Sequence, residues 1–261
     1  MNATDAQLQP RRLVKADILS AVRTGRATFS ELRLPSVCYA AVFALLGLSL
    51  LTALGLLGVS PLALPFAGGF MLVGPVLLSG YFELAGRHAL GRPARLADAF
   101  RAFVRAPRGL WLLALFCAFL FLIWITDAGI LYSFTVGGDR LGYWLPWQPE
   151  QRDDVLRFAL WGSLMGSALA YIIFAVSAFS VPLIYERRAG PVQAIHASVR
   201  AVLDNFTVCL LWGLLLSTSV LLSILFMPLL LWTLPVMAYA SFALYRLAFP
   251  LLPEGAGDSR A

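Results

Sequence analysis

Four long stretches of this chain carry no Asp, Glu, Lys or Arg: residues 34–82, 109–126, 158–185 and 205–245. Apolar runs of this length are too long for a small water-soluble core. In hydrocarbon the backbone must satisfy its own hydrogen bonds, which a helix does within the segment. About 20 apolar residues cross the hydrocarbon core as a helix. The first and last stretches, of 49 and 41 residues, therefore hold two spans each and the other two hold one apiece, giving six. Composition points the same way: 60% of the 261 residues are hydrophobic and 13% charged, against roughly half and roughly a quarter in soluble domains. The expected fold is all-α, a polytopic transmembrane helical bundle of about six spans with short amphipathic interfacial helices on the cytoplasmic side.

Turn-forming residues divide the two double stretches: Gly58, Ser60 and Pro61 in the first, Pro228 and the region 232–235 in the second. Spans are expected near 37–59, 62–82, 109–132, 158–184, 206–227 and 231–249. The last stretch has an alternative reading as one span plus a re-entrant segment. Residues 1–36 form a cytoplasmic segment with an amphipathic helix, 37–249 the membrane domain, and 250–261 a disordered cytoplasmic tail. The polar start and long first apolar run predict an uncleaved signal-anchor.

Orientation follows from Lys and Arg, which short cytoplasmic loops retain. With six spans, seventeen of the twenty basic residues fall on one side, and only Arg140, Arg152 and Arg157 on the other. Both termini are thus expected in the cytoplasm. This bias accounts for the basic balance without any nucleic-acid partner. The expected partners are the bilayer itself, with anionic head groups at the basic helices, and a membrane-protein partner or a second copy.

Residues 17–23, 99–105 and 194–200 resemble one another, ending in Ala-Val-Arg, Phe-Val-Arg and Ser-Val-Arg, and each precedes a pair of spans. They suggest a weak threefold repeat of surface helix plus hairpin. In the second, Leu96, Phe100, Phe103 and Val104 share a face while Arg95, Asp98, Arg101 and Arg105 point away. In the third, Val192, Ile195, Val199 and Val202 recur at helical spacing. Such helices either lie in the interface or pack as elbows on the bundle. The outer connection, residues 134–157, carries Tyr143, Trp144 and Trp147, as an aromatic belt at a membrane boundary does.

Several motifs carry a resemblance: Leu-Pro-Phe-Ala-Gly-Gly-Phe-Met-Leu-Val-Gly-Pro over residues 64–75, Gly-Tyr-Phe-Glu-Leu over 80–84, Gly-Arg-Pro over 91–93 and Val-Pro-Leu-Ile-Tyr-Glu-Arg over 181–187, with Ala194, Ser198, Asn205, Trp212 and Gly213. From about residue 12 to 249 the chain resembles a bacterial inner-membrane family known as domain of unknown function 2189. It departs from that pattern at Tyr185-Glu186, where Leu-Asp or a close variant is expected. The resemblance implies a polytopic helical membrane protein and no activity. Members are sometimes labelled cytochrome c oxidase subunit I, but haem and copper need several His within the spans. This chain has two, His88 and His196, both outside them.

No catalytic motif appears, so an enzyme is not expected, and neither is a cofactor or metal site. Cys38, Cys117 and Cys209 lack the spacing of a metal cage or disulfide framework. Three sets of residues remain as candidates. Gly69, Gly74 and Pro75 lie in the second span, where Gly and Pro kink or break a helix and can expose a translocation site. Glu83 and Arg246 are a candidate charged pair if the second and sixth spans are neighbours. Gly162, Gly166 and Ala170 form a small-residue stripe for helix packing. Three functional readings follow: a non-catalytic accessory or scaffold component; a carrier or pore for a small solute or lipid with a site near the second span; and a lipid-acting enzyme using Glu83, Asp127 or His88.

Overall fold

The structure, a computed structural model, describes residues 8–56, 63–135 and 152–250. The expected aromatic belt around Trp144, the expected turn at Gly58 to Pro61 and the expected C-terminal tail lie outside the described residues. The helices are α1 (Lys15–Glu31), α2 (Arg33–Leu56), α3 (Ala63–Ala89), α4 (Leu96–Val104), α5 (Arg108–Thr135), α6 (Arg152–Ser177), α7 (Ser180–Tyr185), α8 (Pro191–Asp204), α9 (Phe206–Leu225) and α10 (Met227–Ala248). No strand occurs among the described residues. The six expected spans correspond to α2, α3, α5, α6 with α7, α9 and α10.

Four segments among the described residues are long and apolar enough to cross a membrane: Arg108–Leu131, Leu160–Tyr185, Phe206–Ser223 and Pro228–Ala248. Lys15–Glu31 and Arg33–Ser49 pass that test together across a 96° bend, which makes a fifth if they count as one span. The difference from six lies in α2 and α3: α2 enters the count joined to α1, and the side chains of α3 are described only from Gly74 onward. In the last stretch, Pro228 opens α10, where a missing N–H costs nothing. Pro235 sits inside that helix without ending it. Ser223 and Thr233 share a 2.6 Å hydrogen bond across the α9–α10 hairpin.

The dense core lies at one end of the bundle, where the arginines gather. Tyr39 of α2, Tyr81 of α3 and Tyr239 of α10 form a chain of edge-on rings, 5.1 and 5.6 Å between centroids, a geometry that adds to burial. Phe100 of α4 meets Tyr39 at 5.1 Å and Phe103 meets Phe43, so α4 packs as an elbow on the bundle. Toward the other end the walls are bare: Phe119, Leu122 and Phe134 of α5, Leu160 and Leu164 of α6 and Leu221 of α9 are exposed. Such a surface suits contact with acyl chains.

The short helices depart from expectation in instructive ways. Asp98 is turned inward, because its carboxylate accepts the Arg95 N–H at 3.0 Å and closes the first turn of α4. Asp17 does the same for Val14 at 2.8 Å in α1. In α8 the buried stripe is Ala194, Ala197, Ser198, Ala201 and Val202, while Val192 is exposed. Small side chains let α8 approach α6 closely, and the Ser198 hydroxyl donates to the Ala175 carbonyl at 2.7 Å.

Helix α1 packs along α10, its most extensive partner, burying Ala21, Gly25 and Phe29. The segment before it is tied down too: Arg11 N–H donates to the Ala248 carbonyl at 2.8 Å, and Leu13 N–H to the Asn205 side chain at 2.6 Å.

Of the small-residue stripe, Gly166 faces Trp124 so closely that a Cβ would lie 3.0 Å from its indole nitrogen. A Cβ on Gly162 would rest 3.9 Å from Leu131. Ala170 is exposed. A row at spacing four drifts about 40° per step around a 3.6-residue helix, so its far member leaves the contact.

Candidate functional site at the arginine-rich end

Helix α3 runs unbroken through Gly69, Gly74 and Pro75 to Ala89. The expected break in the second span is therefore not formed; Pro75 withholds one N–H from the turn before it, and the helix continues. A Cβ on Gly74 would meet nothing within 4 Å. The glycine that is needed is Gly80, where a Cβ would fall 2.5 Å from the Tyr39 ring.

The last turns of α3 carry the polar residues. Glu83 accepts from Arg87 Nε at 2.9 Å, one turn on, and from the Tyr185 hydroxyl of α7 at 2.6 Å. The bond to Glu83 also raises the Arg87 pKa above its ordinary value. Arg87 reaches onward, 3.2 Å to the Pro93 carbonyl and 3.5 Å to Asp98. Arg101 closes the row, donating to Asp98 at 3.0 Å. His88 lies 3.1 Å from Glu31 at the end of α1.

A second row begins at Glu186, just after α7. It pairs with Arg246 of α10 and accepts from the Tyr245 hydroxyl at 2.7 Å. That hydroxyl accepts in turn from Arg188 at 3.0 Å, and Arg188 also donates to the Phe249 carbonyl at 2.7 Å. Arg246 stacks over Phe242, 5.1 Å from its centroid, and its Nε is buried with no acceptor among the described residues.

The expected Glu83–Arg246 pair is thus not made. Both residues line one cavity, but α7 inserts Tyr185 and Glu186 between α3 and α10: Tyr185 and Arg87 occupy Glu83, and Glu186 takes Arg246. Asp127 sits within α5, outside this network, and His196 is exposed on α8. The cysteines are free, with Cys117 and Cys209 buried. No group of three or more metal-ligating side chains occurs among the described residues.

Two cavities flank the network. The larger, about 730 Å³, lies between α1, α3 and α10, with Ser20, Thr24 and Thr28 of α1 facing Phe82, Phe242 and Arg246. The smaller, about 380 Å³, is lined by Arg87, Arg101, Arg105 and Arg187 together with Glu83 and Asp98.

One lining residue, Arg187, has a conformation that no sequence motif announces. After α7 the Arg188 N–H returns to Leu183 O at 3.0 Å and the Arg187 N–H to Ile184 O at 3.0 Å, a Schellman closure that needs a left-handed residue. After α3 the same closure, Arg92 N–H to Arg87 O and Gly91 N–H to His88 O, is made with Gly91 at φ 65°. After α7 the left-handed position is Arg187, at φ 56°. The missing glycine in a run that ends a helix was the available signal.

Charge gathered at one end, bare apolar walls at the other and helices throughout define a multi-pass helical integral membrane protein. Residues 63–186 match the family described as "Predicted integral membrane protein (DUF2189)", the family that the sequence resembles. The matched stretch runs from α3 through α7 and holds Glu83, Arg87, Asp98, Arg101, Arg105 and Tyr185. No curated protein and no solved structure is detectably similar to the chain.

Proposed function

We propose that this protein is a non-catalytic scaffold or accessory component of the bacterial cytoplasmic membrane, with both ends in the cytoplasm and a membrane-protein partner or a second copy as its client. The carrying observation is how the charged groups at the arginine-rich end are used. Glu83, Asp98 and Glu186 each bridge helices or close a helix end, so they hold the span ends in a fixed arrangement. Buried or half-buried ion pairs of this kind favour one geometry over its neighbours. The seventeen-to-three distribution of Lys and Arg supports the orientation, and a basic face of this kind suits contact with anionic head groups.

The test is purification of the tagged full-length protein from its own host in several mild detergents. A stoichiometric partner, recovered again when the partner carries the tag, or a stable oligomer supports the reading. A monomer that retains no protein in any detergent and forms no cross-link in intact membranes overturns it.

One observation favours the carrier as a second reading: the 730 Å³ cavity abuts the end of α3, the expected translocating helix. Solute uptake by loaded liposomes that is lost on filling the cavity with Ala243→Trp would support it; absence of flux across a solute panel would remove it.

A further inference from the structure

The smaller cavity holds more positive charge than its neighbours consume. Four guanidiniums face two carboxylates there. Both carboxylates are already occupied, Glu83 by Tyr185 and Arg87, Asp98 by the Arg95 N–H, Arg101 and Arg87. Arg105 and Arg187 line the same space and make no side-chain hydrogen bond or ion pair among the described residues.

Arg187 is held there against its backbone preference. A left-handed helix terminus is ordinarily glycine, as at Gly91, because a Cβ is strained in that conformation. Residues kept in such conformations concentrate where a ligand or a switch uses the side chain. Position matters as well: Pro107 lines the cavity and α5 begins at Arg108, so the space opens beside the start of a candidate span.

We infer that this cavity binds a phosphate-bearing anion, with Arg105 and Arg187 as its primary donors and Arg87 and Arg101 completing the positive rim. The planar guanidinium fork matches phosphate oxygens two at a time. A lipid phosphate head group and a free phosphate present the same chemistry to these donors. The site would take its anion whether or not the chain assembles with another protein, so it does not depend on the scaffold reading.

The experiment uses the purified full-length protein in two settings. In uncharged, phosphate-free detergent, inorganic phosphate is titrated while the melting temperature is followed, with chloride at equal ionic strength as the reference. In nanodiscs of phosphatidylcholine with or without phosphatidic acid, retained lipid is counted by native mass spectrometry. A rise in melting temperature with phosphate identifies a free anion as sufficient; selective retention of phosphatidic acid alone identifies the lipid head group. Loss of one charged donor weakens such binding by about tenfold or more, so Arg187→Gly and Arg105→Gln should each reduce it to that extent. Arg187→Gly should leave the ligand-free melting temperature unchanged or higher, since glycine suits the left-handed turn. Arg26→Gln, on the exposed side of α1 and away from both cavities, should bind as the wild type does. The inference is overturned if neither probe is preferred over its reference, if Arg26→Gln weakens binding as much as Arg187→Gly, or if Arg187→Gly lowers the ligand-free melting temperature.

Discussion

Gly25 of α1 lies so near α10 that a Cβ placed on it would fall 2.7 Å from the Val236 carbonyl oxygen and 2.8 Å from the Ala240 nitrogen. Both atoms are backbone, so nothing nearby can rotate away. Gly25→Ala is expected to destabilise the protein by about 1–3 kcal/mol, the usual range for overpacking a close contact. The neighbouring Arg26→Ala, on the exposed side, should stay within about 0.5 kcal/mol. Thermal unfolding in one detergent compares the two.

The contact at Gly80 differs in kind, because the crowding group is the Tyr39 ring, 2.5 Å from the added Cβ. That ring is fully buried and donates its hydroxyl to the Leu77 carbonyl at 3.1 Å. Gly80→Ala should cost about 1–3 kcal/mol alone, and less in a Tyr39→Leu background, where the ring is gone. The double-mutant cycle should return a coupling of at least about 0.5 kcal/mol; additivity would show that the two residues do not collide.

Asn205 connects the start of the described chain to the α8–α9 corner, accepting from Leu13 N–H at 2.6 Å and donating to the Arg11 carbonyl at 3.3 Å. Asn205→Ala leaves a buried N–H without an acceptor, at a cost of about 1–3 kcal/mol. Hydrogen exchange should accelerate first at Leu13, and proteolysis near it should follow.

Reporter fusions after Arg101, Pro149 and Ala261 are expected to read inside, outside and inside, from the distribution of Lys and Arg. An outside reading at Ala261 would remove one span from the six.

Much of the helical layout was visible in the charge-free runs, since hydrocarbon imposes a length on each span whatever it packs against. Pro228 at the start of α10 was legible for a local reason, the cost of a proline inside a helix. What was hidden depended on contacts between distant segments. Glu83 and Arg246 do come to one cavity, but their partners were decided by Tyr185 and Glu186, whose position no periodicity reports. A helical wheel points Asp98 outward; a capping bond, set by position within the first turn, turns it in. Composition singles out the Pro75 region, yet neighbouring helices do not press on Gly74, whereas Gly80 is held by a ring forty-one residues away in sequence.

The hydrogen bond from Arg11 to the Ala248 carbonyl has a further consequence. It fastens the chain just before α1 to the final turn of α10, so residue 11 and the end of α10 lie side by side. A short linker joining residue 11 to the end of α10 would close the fold into a loop that permits new termini elsewhere.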